Sequence, residues 1–453
     1  MSRILVLALI FFPLLAPQAG AETITLTLDE AVQRAIDQSF SLKKNTVDLA
    51  QAEYSARRLW SEIFPSISMS AGLTFLPSTP LFTGAGFSYN SDALSYALNL
   101  GLSLSLNPSI KSSMNRIELA YRAQLLSYET ACKQLEIQVT KNFLSLITMK
   151  QNLLFMEESL RLAENKLASD TIARRNGLLN ELTWLNSQLS VETARYNLSY
   201  ADGAYRNALG EFLALLGMET VADIDFMGTV DIVQIFYDPE QLILEYLPKR
   251  PDMISLRQTI ERLELGKTQT ALASRFPTLS LSTQWRGTPE TGSGLGAPFA
   301  DSVTGSITLN IPVDSWIPGT RQDQTIRAAN AEVEKAYLDL QSAETSAKTQ
   351  IRSLILNLEN TWESLGIARM RVGIAERTVE ATELGFRNGL IEFRELEDRR
   401  NDLTDARQRL LQGELSYQTL LLDLAAALNV EWRALTKLEV SLGPKPEASW
   451  SVP

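Results

Sequence analysis

Two stretches of the chain carry apolar residues at alternating steps of three and four, the seam along which helices pack. The first runs through Ile117, Tyr121, Leu125, Tyr128, Cys132, Leu135, Val139, Phe143 and Leu146. The second runs through Val333, Ala336, Leu340, Ala343, Ala347, Ile351, Leu354, Leu358, Trp362 and Leu365. No proline falls between Pro108 and Pro239 or between Pro318 and Pro444, where average usage of about 5% would place roughly six in each. In the middle of each stretch stands the same tetrapeptide, Arg175-Asn176-Gly177-Leu178 and Arg387-Asn388-Gly389-Leu390. Asn-Gly accepts positive φ, so it ends one helix in a left-handed cap and lets the chain return antiparallel. The pattern predicts two helical hairpins. Their first helix, from Ser112 to Arg174, would run to roughly 95 Å at ~1.5 Å per residue.

Upstream of each helical stretch the period changes to two. Ile67, Met69, Ala71, Leu73 and Phe75 alternate with Ser66, Ser68, Ser70, Gly72 and Thr74. After a Pro/Gly/Ser-rich loop (Pro77 to Asp92), Leu94, Tyr96, Leu98, Leu100, Leu102, Leu104 and Leu106 alternate with small or polar residues. The second half repeats this with Leu279, Leu281, Thr283 and Trp285, a loop from Gly287 to Ala300, then Val303, Gly305, Ile307, Leu309 and Ile311. Strands of about ten residues, apolar on one face and Ser, Thr, Asn and Gly on the other, have the dyad pattern of membrane barrel strands. A half-buried soluble sheet gives the same alternation. The scarcity of charges on the polar face, and the direct entry of each hairpin into a very long helix, favour the barrel.

The halves superpose at one offset of 212. Phe64-Pro65 falls on Phe276-Pro277, Asn176-Gly177-Leu178 on Asn388-Gly389-Leu390, Ala194-Arg195 on Ala406-Arg407, and Leu216 on Leu428. The chain is therefore one unit used twice. The expected layout is a leader over 1–21, a first repeat over 22–240 (β-hairpin 65–107, helical hairpin 112–216), a second over 241–430 (β-hairpin 277–312, helical hairpin 319–428), and a tail over 431–453. Within the first repeat, Thr27-Leu28-Asp29-Glu30 is a capping box opening a helix that the apolar spacing carries to about Ile63. A helix from Asp252 to Arg275 is its counterpart. The parts between Gly217 and Pro251, and the tail with alternating Leu438, Val440 and Leu442, read as a mixed α/β belt.

Residues 1–21 read as a secretory leader, with Arg3, an apolar run from Ile4 to Ala16, and Ala19-Gly20-Ala21 as cleavage site. No cysteine stands near that site, so N-terminal lipidation is not expected. The single cysteine, Cys132, lies on the helix seam as a small hydrophobe and permits no intrachain disulfide. The chain has no histidine, which excludes histidine-based triads and the usual transition-metal sites. Its 42 basic residues, less Arg3, stand against 53 acidic ones, a net charge of about −12 after leader removal that argues against nucleic acid as a partner. No nucleophile elbow, phosphate-binding glycine loop or metal cluster is visible. An enzyme is not expected, nor any cofactor.

Four strands cannot close a barrel, and a membrane-spanning sheet leaves no open edge. Several copies must share one: two give eight strands with a filled interior, three give twelve and a wider lumen. The other reading that the pattern permits is a periplasmic coiled-coil scaffold with two small soluble sheets and no pore.

These features resemble the TolC family of bacterial outer-membrane efflux channels, over essentially the whole mature chain. The residues that carry the resemblance are Leu26-Thr27-Leu28-Asp29-Glu30-Ala31-Val32, the Phe-Pro entry into each β-hairpin, the Phe386 to Ile391 turn, and Ala-Arg at 194–195 and 406–407. The resemblance implies a mainly α fold with a membrane β-barrel: a homotrimer whose 12-stranded barrel sits in outer-membrane lipid and continues into the periplasm as an α-helical tunnel. It implies passive export driven by an inner-membrane transporter of the RND, ABC or MFS class, docked through a periplasmic adaptor (membrane fusion) protein. It also implies acidic rings six and nine residues past the second turn glycine, which places a pore constriction at Glu395 and Asp398. The family's gate holds a basic residue two past that glycine, where this chain has Ile391, so Arg387 and Arg394 are the candidates for gate ion pairs. The turns Arg175-Asn176-Gly177-Leu178 and Arg387-Asn388-Gly389-Leu390 are expected to contact the adaptor.

Overall fold

The computed structural model describes residues 24–76, 80–83, 86–89, 93–218, 224–227, 232, 234–235, 237–289 and 299–438. The leader and the tail beyond Leu438 lie outside them. The elements are, in order, β1 (Ile24–Thr27), α1 (Leu28–Gln38), α2 (Phe40–Arg57), β2 (Ser66–Leu76), β3 (Pro80–Thr83), β4 (Gly86–Tyr89), β5 (Ala93–Leu106) and the 66-residue α3 (Ile110–Arg175). Then come α4 (Glu181–Leu215), β6 (Ile224–Met227), α5 (Pro239–Tyr246), α6 (Pro251–Arg275), β7 (Thr278–Pro289), β8 (Phe299–Asn310), the 67-residue α7 (Arg321–Arg387), α8 (Phe393–Leu428) and α9 (Trp432–Leu438).

The chain divides into two compact units that cut across the duplication. One holds 1–40, 132–235 and 356–423; the other holds 41–131, 236–355 and 424–453. In the second unit, β2, β5, β7 and β8 form one antiparallel sheet in the order β2-β5-β7-β8. Its register puts every alternating apolar set on one face: Met69 pairs with Leu100, Leu100 with Trp285 and Trp285 with Val303. The opposite face carries the row Ser66, Ser103, Ser282, Ser306, whose outer pairs hydrogen-bond through their hydroxyls at 2.6 and 2.7 Å. One residue of slip would exchange the faces, so the serine and leucine rows fix the register. The apolar face is uncovered: Ile67 is 66% and Ile307 77% exposed. The loop expected over Pro77 to Asp92 contains a short ribbon, β3 against β4.

In the first unit the core is aromatic. Phe143 of α3, Phe212 of α4 and Phe226 of β6 meet with ring centroids 5.3 to 6.4 Å apart. β6 pairs in parallel with β1, burying Leu26 and Ile224. The capping box opens α1, with Thr27 N–H donating to Glu30 at 3.1 Å and Glu30 N–H to the Thr27 hydroxyl at 3.3 Å. The helix expected to run to Ile63 is instead interrupted. Ser39 leaves helical geometry (φ −56°, ψ 122°), separating α1 from α2, and a 3-10 turn over Leu59–Ile63 follows. Leu438 closes α9, so no strand begins at that residue.

Candidate functional site

Both helical hairpins of the first unit turn on the same backbone. In α3 the N–H of Leu178 donates to the Ala173 carbonyl and that of Gly177 to the Arg174 carbonyl, both at 2.9 Å, with Gly177 at φ +72°. After α7, Leu390 donates to Gly385 and Gly389 to Phe386, again both at 2.9 Å, with Gly389 at φ +74°. These paired bonds satisfy the last helical carbonyls and require a residue without Cβ strain at the left-handed position. The leucines that follow point outward, Leu178 at 80% and Leu390 at 81% exposure. Arg175, Asn176, Arg387 and Asn388 are exposed as well.

Beyond the turns the hairpins part. At the first, Asn180 caps α4 by accepting from Thr183 N–H at 2.8 Å. Trp184 donates its ring N–H to the Thr171 hydroxyl at 3.0 Å and lies under the Arg174 guanidinium, 4.0 Å away. At the second, Ile391 packs so closely on Gly385 that a Cβ there would come within 2.5 Å of its Cδ1. Glu383 takes both Arg400 of α8 at 3.1 Å and Arg387 at 3.7 Å. Lys166 of α3 reaches Glu397 of α8 at 2.6 Å, with side chains only 21% and 14% exposed. Nearby on α3, the Glu158 carboxyl is held below the usual range first by its hydrogen bonds from Arg161 and also by the charge of Arg400.

Glu395 and Asp398 stand three apart in the first turns of α8, hence on one helix face. Both are exposed, and neither has an ion pair or side-chain hydrogen bond to a described residue; the same holds for Arg394. Arg387 is taken up by Glu383 on its own helix. Lys166, Glu383, Glu397 and Arg400, which do link elements here, stood out by no spacing in the sequence, because their partners lie on other helices. Farther along, a groove of about 390 Å³ opens between α7 and α8, lined by Arg371, Ile374 and Thr378 on one side and Arg399, Asp402 and Arg409 on the other. Among the described residues no helix is long and apolar enough to cross a membrane.

The sequence model of the family described as "Outer membrane efflux protein" matches residues 31–218 and 242–430, one match per half. The chain is 24% identical over 347 residues to Protein CyaE of Bordetella pertussis, spanning 73% of this chain and 72% of that one. Among solved structures, a membrane protein from Pseudomonas aeruginosa superposes with a TM-score of 0.69 at 19% identity, covering 91% of this chain and 92% of that one. The CmeC outer membrane channel of Campylobacter jejuni gives 0.68 at 15%, with 91% and 89% covered. The open state of the MtrE outer membrane channel of Neisseria gonorrhoeae gives 0.66 at 16%, with 89% of each covered.

Proposed function

The chain belongs to the outer membrane efflux protein family, and from that membership we infer that three copies assemble into one duct, with a 12-stranded barrel in the outer membrane and a helical tunnel in the periplasm. It is an outer-membrane export channel, a passive conduit. The energy comes from an inner-membrane transporter of the RND, ABC or MFS class, and a periplasmic adaptor couples the two at the exposed turns around Leu178 and Leu390.

The observation that carries the reading is the sheet. Its order β2-β5-β7-β8 leaves β2 and β8 as edges, while one face carries apolar side chains on every strand, exposed on β2, β5 and β8. In lipid an open edge leaves backbone groups unsatisfied at several kcal/mol each, so the edges must meet those of other copies. Exposed Trp60, Phe64, Phe276 and Trp316 lie just outside the strands, where barrels place their interfacial aromatic girdle. Three copies would bring six carboxylates, from Glu395 and Asp398, to the periplasmic throat, a field that favours cations.

Membrane fractionation tests the reading. The protein should resist salt and alkaline washes and leave the outer membrane only with detergent, as a trimer. Leu102→Arg on the lipid face should cost about 2 to 4 kcal/mol and Ser103→Arg on the lumen face much less. Release by buffer, or equal effects of the two substitutions, would overturn it.

A further inference from the structure

The polar face of the four-stranded sheet is built of Ser, Thr, Asn, Gln, Gly and Ala, and among its described residues a single one carries a charge, Arg286 of β7. Its register partners on the same face are Asn99 of β5 and Ser302 of β8. Neither holds the guanidinium. Asn99 gives its side-chain N–H to the Ser70 hydroxyl and takes the Gln284 amide on its carbonyl oxygen, both at 3.4 Å. Ser302 donates to the Arg286 backbone carbonyl at 3.5 Å. Arg286 is exposed, has no ion pair with a described residue, and no carboxylate stands on its face to compete for it.

The height of Arg286 in the sheet follows from the opposite face. The only charge there among the described residues is Asp301, which pairs with Gly287, and Trp285 aims its ring N–H at that carboxylate from 3.5 Å. An indole beside an exposed carboxylate belongs at the headgroup level and not in hydrocarbon. Trp60, Phe64, Phe276 and Trp316 mark the other edge, where the strands meet the helices. Arg286 stands eight residues past Thr278, the start of β7, which at ~3.3 Å per residue is about 26 Å of strand. With the usual tilt of about 40° that covers about 20 Å of an apolar band about 25 Å tall. Arg286 therefore lies just inside the outer rim.

We propose that Arg286 is an anion-binding subsite at the outer mouth of the lumen, taking solutes that carry phosphate or carboxylate groups. The inference rests on the trimeric duct proposed above, in which three copies set three guanidiniums around an otherwise neutral wall. A guanidinium receives an oxyanion through two parallel N–H donors, which a point charge does not reproduce. The sign is opposite to that proposed for Glu395 and Asp398, so the exit holds anions and repels cations.

Block of single channels in planar bilayers by tripolyphosphate, added to both sides, tests the subsite. In 0.1 M salt, where the screening length is about 10 Å, it should lower the wild-type conductance at least about twofold, and in 1 M salt, where that length is about 3 Å, the block should fade. Arg286→Gln should remove the block and raise the preference for cations, Arg286→Lys should keep a weaker block, and Ser302→Arg should restore it in the Arg286→Gln background. Equal block with and without Arg286, or an unblocked wild type, would overturn the subsite and leave the channel reading standing. A wild-type protein that forms no conducting channel would overturn both.

Discussion

The two hairpin turns share a backbone and differ in nearly everything attached to it. Gly177 and Gly389 sit two degrees apart in φ and close the same pair of hydrogen bonds, because a left-handed helix end admits few other residues. Past that point the copies diverge at the 212-residue offset. Asn180 becomes Glu392, Trp184 becomes Leu396, and Thr183 and Asn186 become Glu395 and Asp398. The first turn is held by a cap, an aromatic ring and the Arg174–Glu181 ion pair, the second by the pairs of Glu383 within its own hairpin and by Lys166–Glu397, which ties it to α3. A duplicated unit thus keeps identical residues where backbone geometry dictates them and separates where side chains set the local chemistry. In the threefold channel proposed above, only the second of the two turns would supply a carboxylate pair, Glu395 and Asp398.

The sharpest break of this comparison is Glu397→Ala. It takes from a largely buried Lys166 its ion-pair partner at 2.6 Å, and breaking such a pair costs about 3 kcal/mol. Thr378→Ala, at the position that Lys166 occupies in the other repeat, should stay within about 0.5 kcal/mol. Thermal unfolding in detergent measures both, and similar losses would mean that the ion pair does not distinguish the turns. Next come the glycines. Gly177→Val and Gly389→Val should each cost about 2 kcal/mol, since both force a β-branched residue to positive φ. A large difference between them would contradict the equivalence of the two backbones.

Smaller still is the cap. Asn180→Ala should cost about 1 kcal/mol and speed hydrogen exchange in the first turn of α4. Glu392 offers α8 its carbonyl, which accepts from Glu395 and Leu396, so Glu392→Ala should leave α8 protected. Matching exchange rates in the two variants would show that Asn180 does not act as a cap.

The elements that set up this comparison were legible wherever a period persisted for many residues. The three-and-four seam of α3 and α7, the dyad alternation of β2, β5, β7 and β8, and the repeated Asn-Gly are long or chemically specific signals. What escaped was short or distant. β1 and β6 are four residues each and pair across about 200 positions of chain, too few for a period to register. Ser39 divides the opening helix without glycine or proline to mark it. The ribbon of β3 and β4 lay hidden in a stretch whose composition reads as loop. The Lys166–Glu397 pair could not be picked from the charges crowding Glu383 to Arg400, because helical spacing reports neighbours on one helix and is silent about the helix opposite.

Ion selectivity in planar bilayers tests most directly the claim that the second turn alone arms the throat. The wild-type channel should be strongly cation-selective, Glu395→Gln with Asp398→Asn should abolish most of that preference while the trimer stays intact, and Thr183→Ala with Asn186→Ala should leave it unchanged. Undiminished cation selectivity in the carboxylate double variant would place these residues outside the throat and contradict the account.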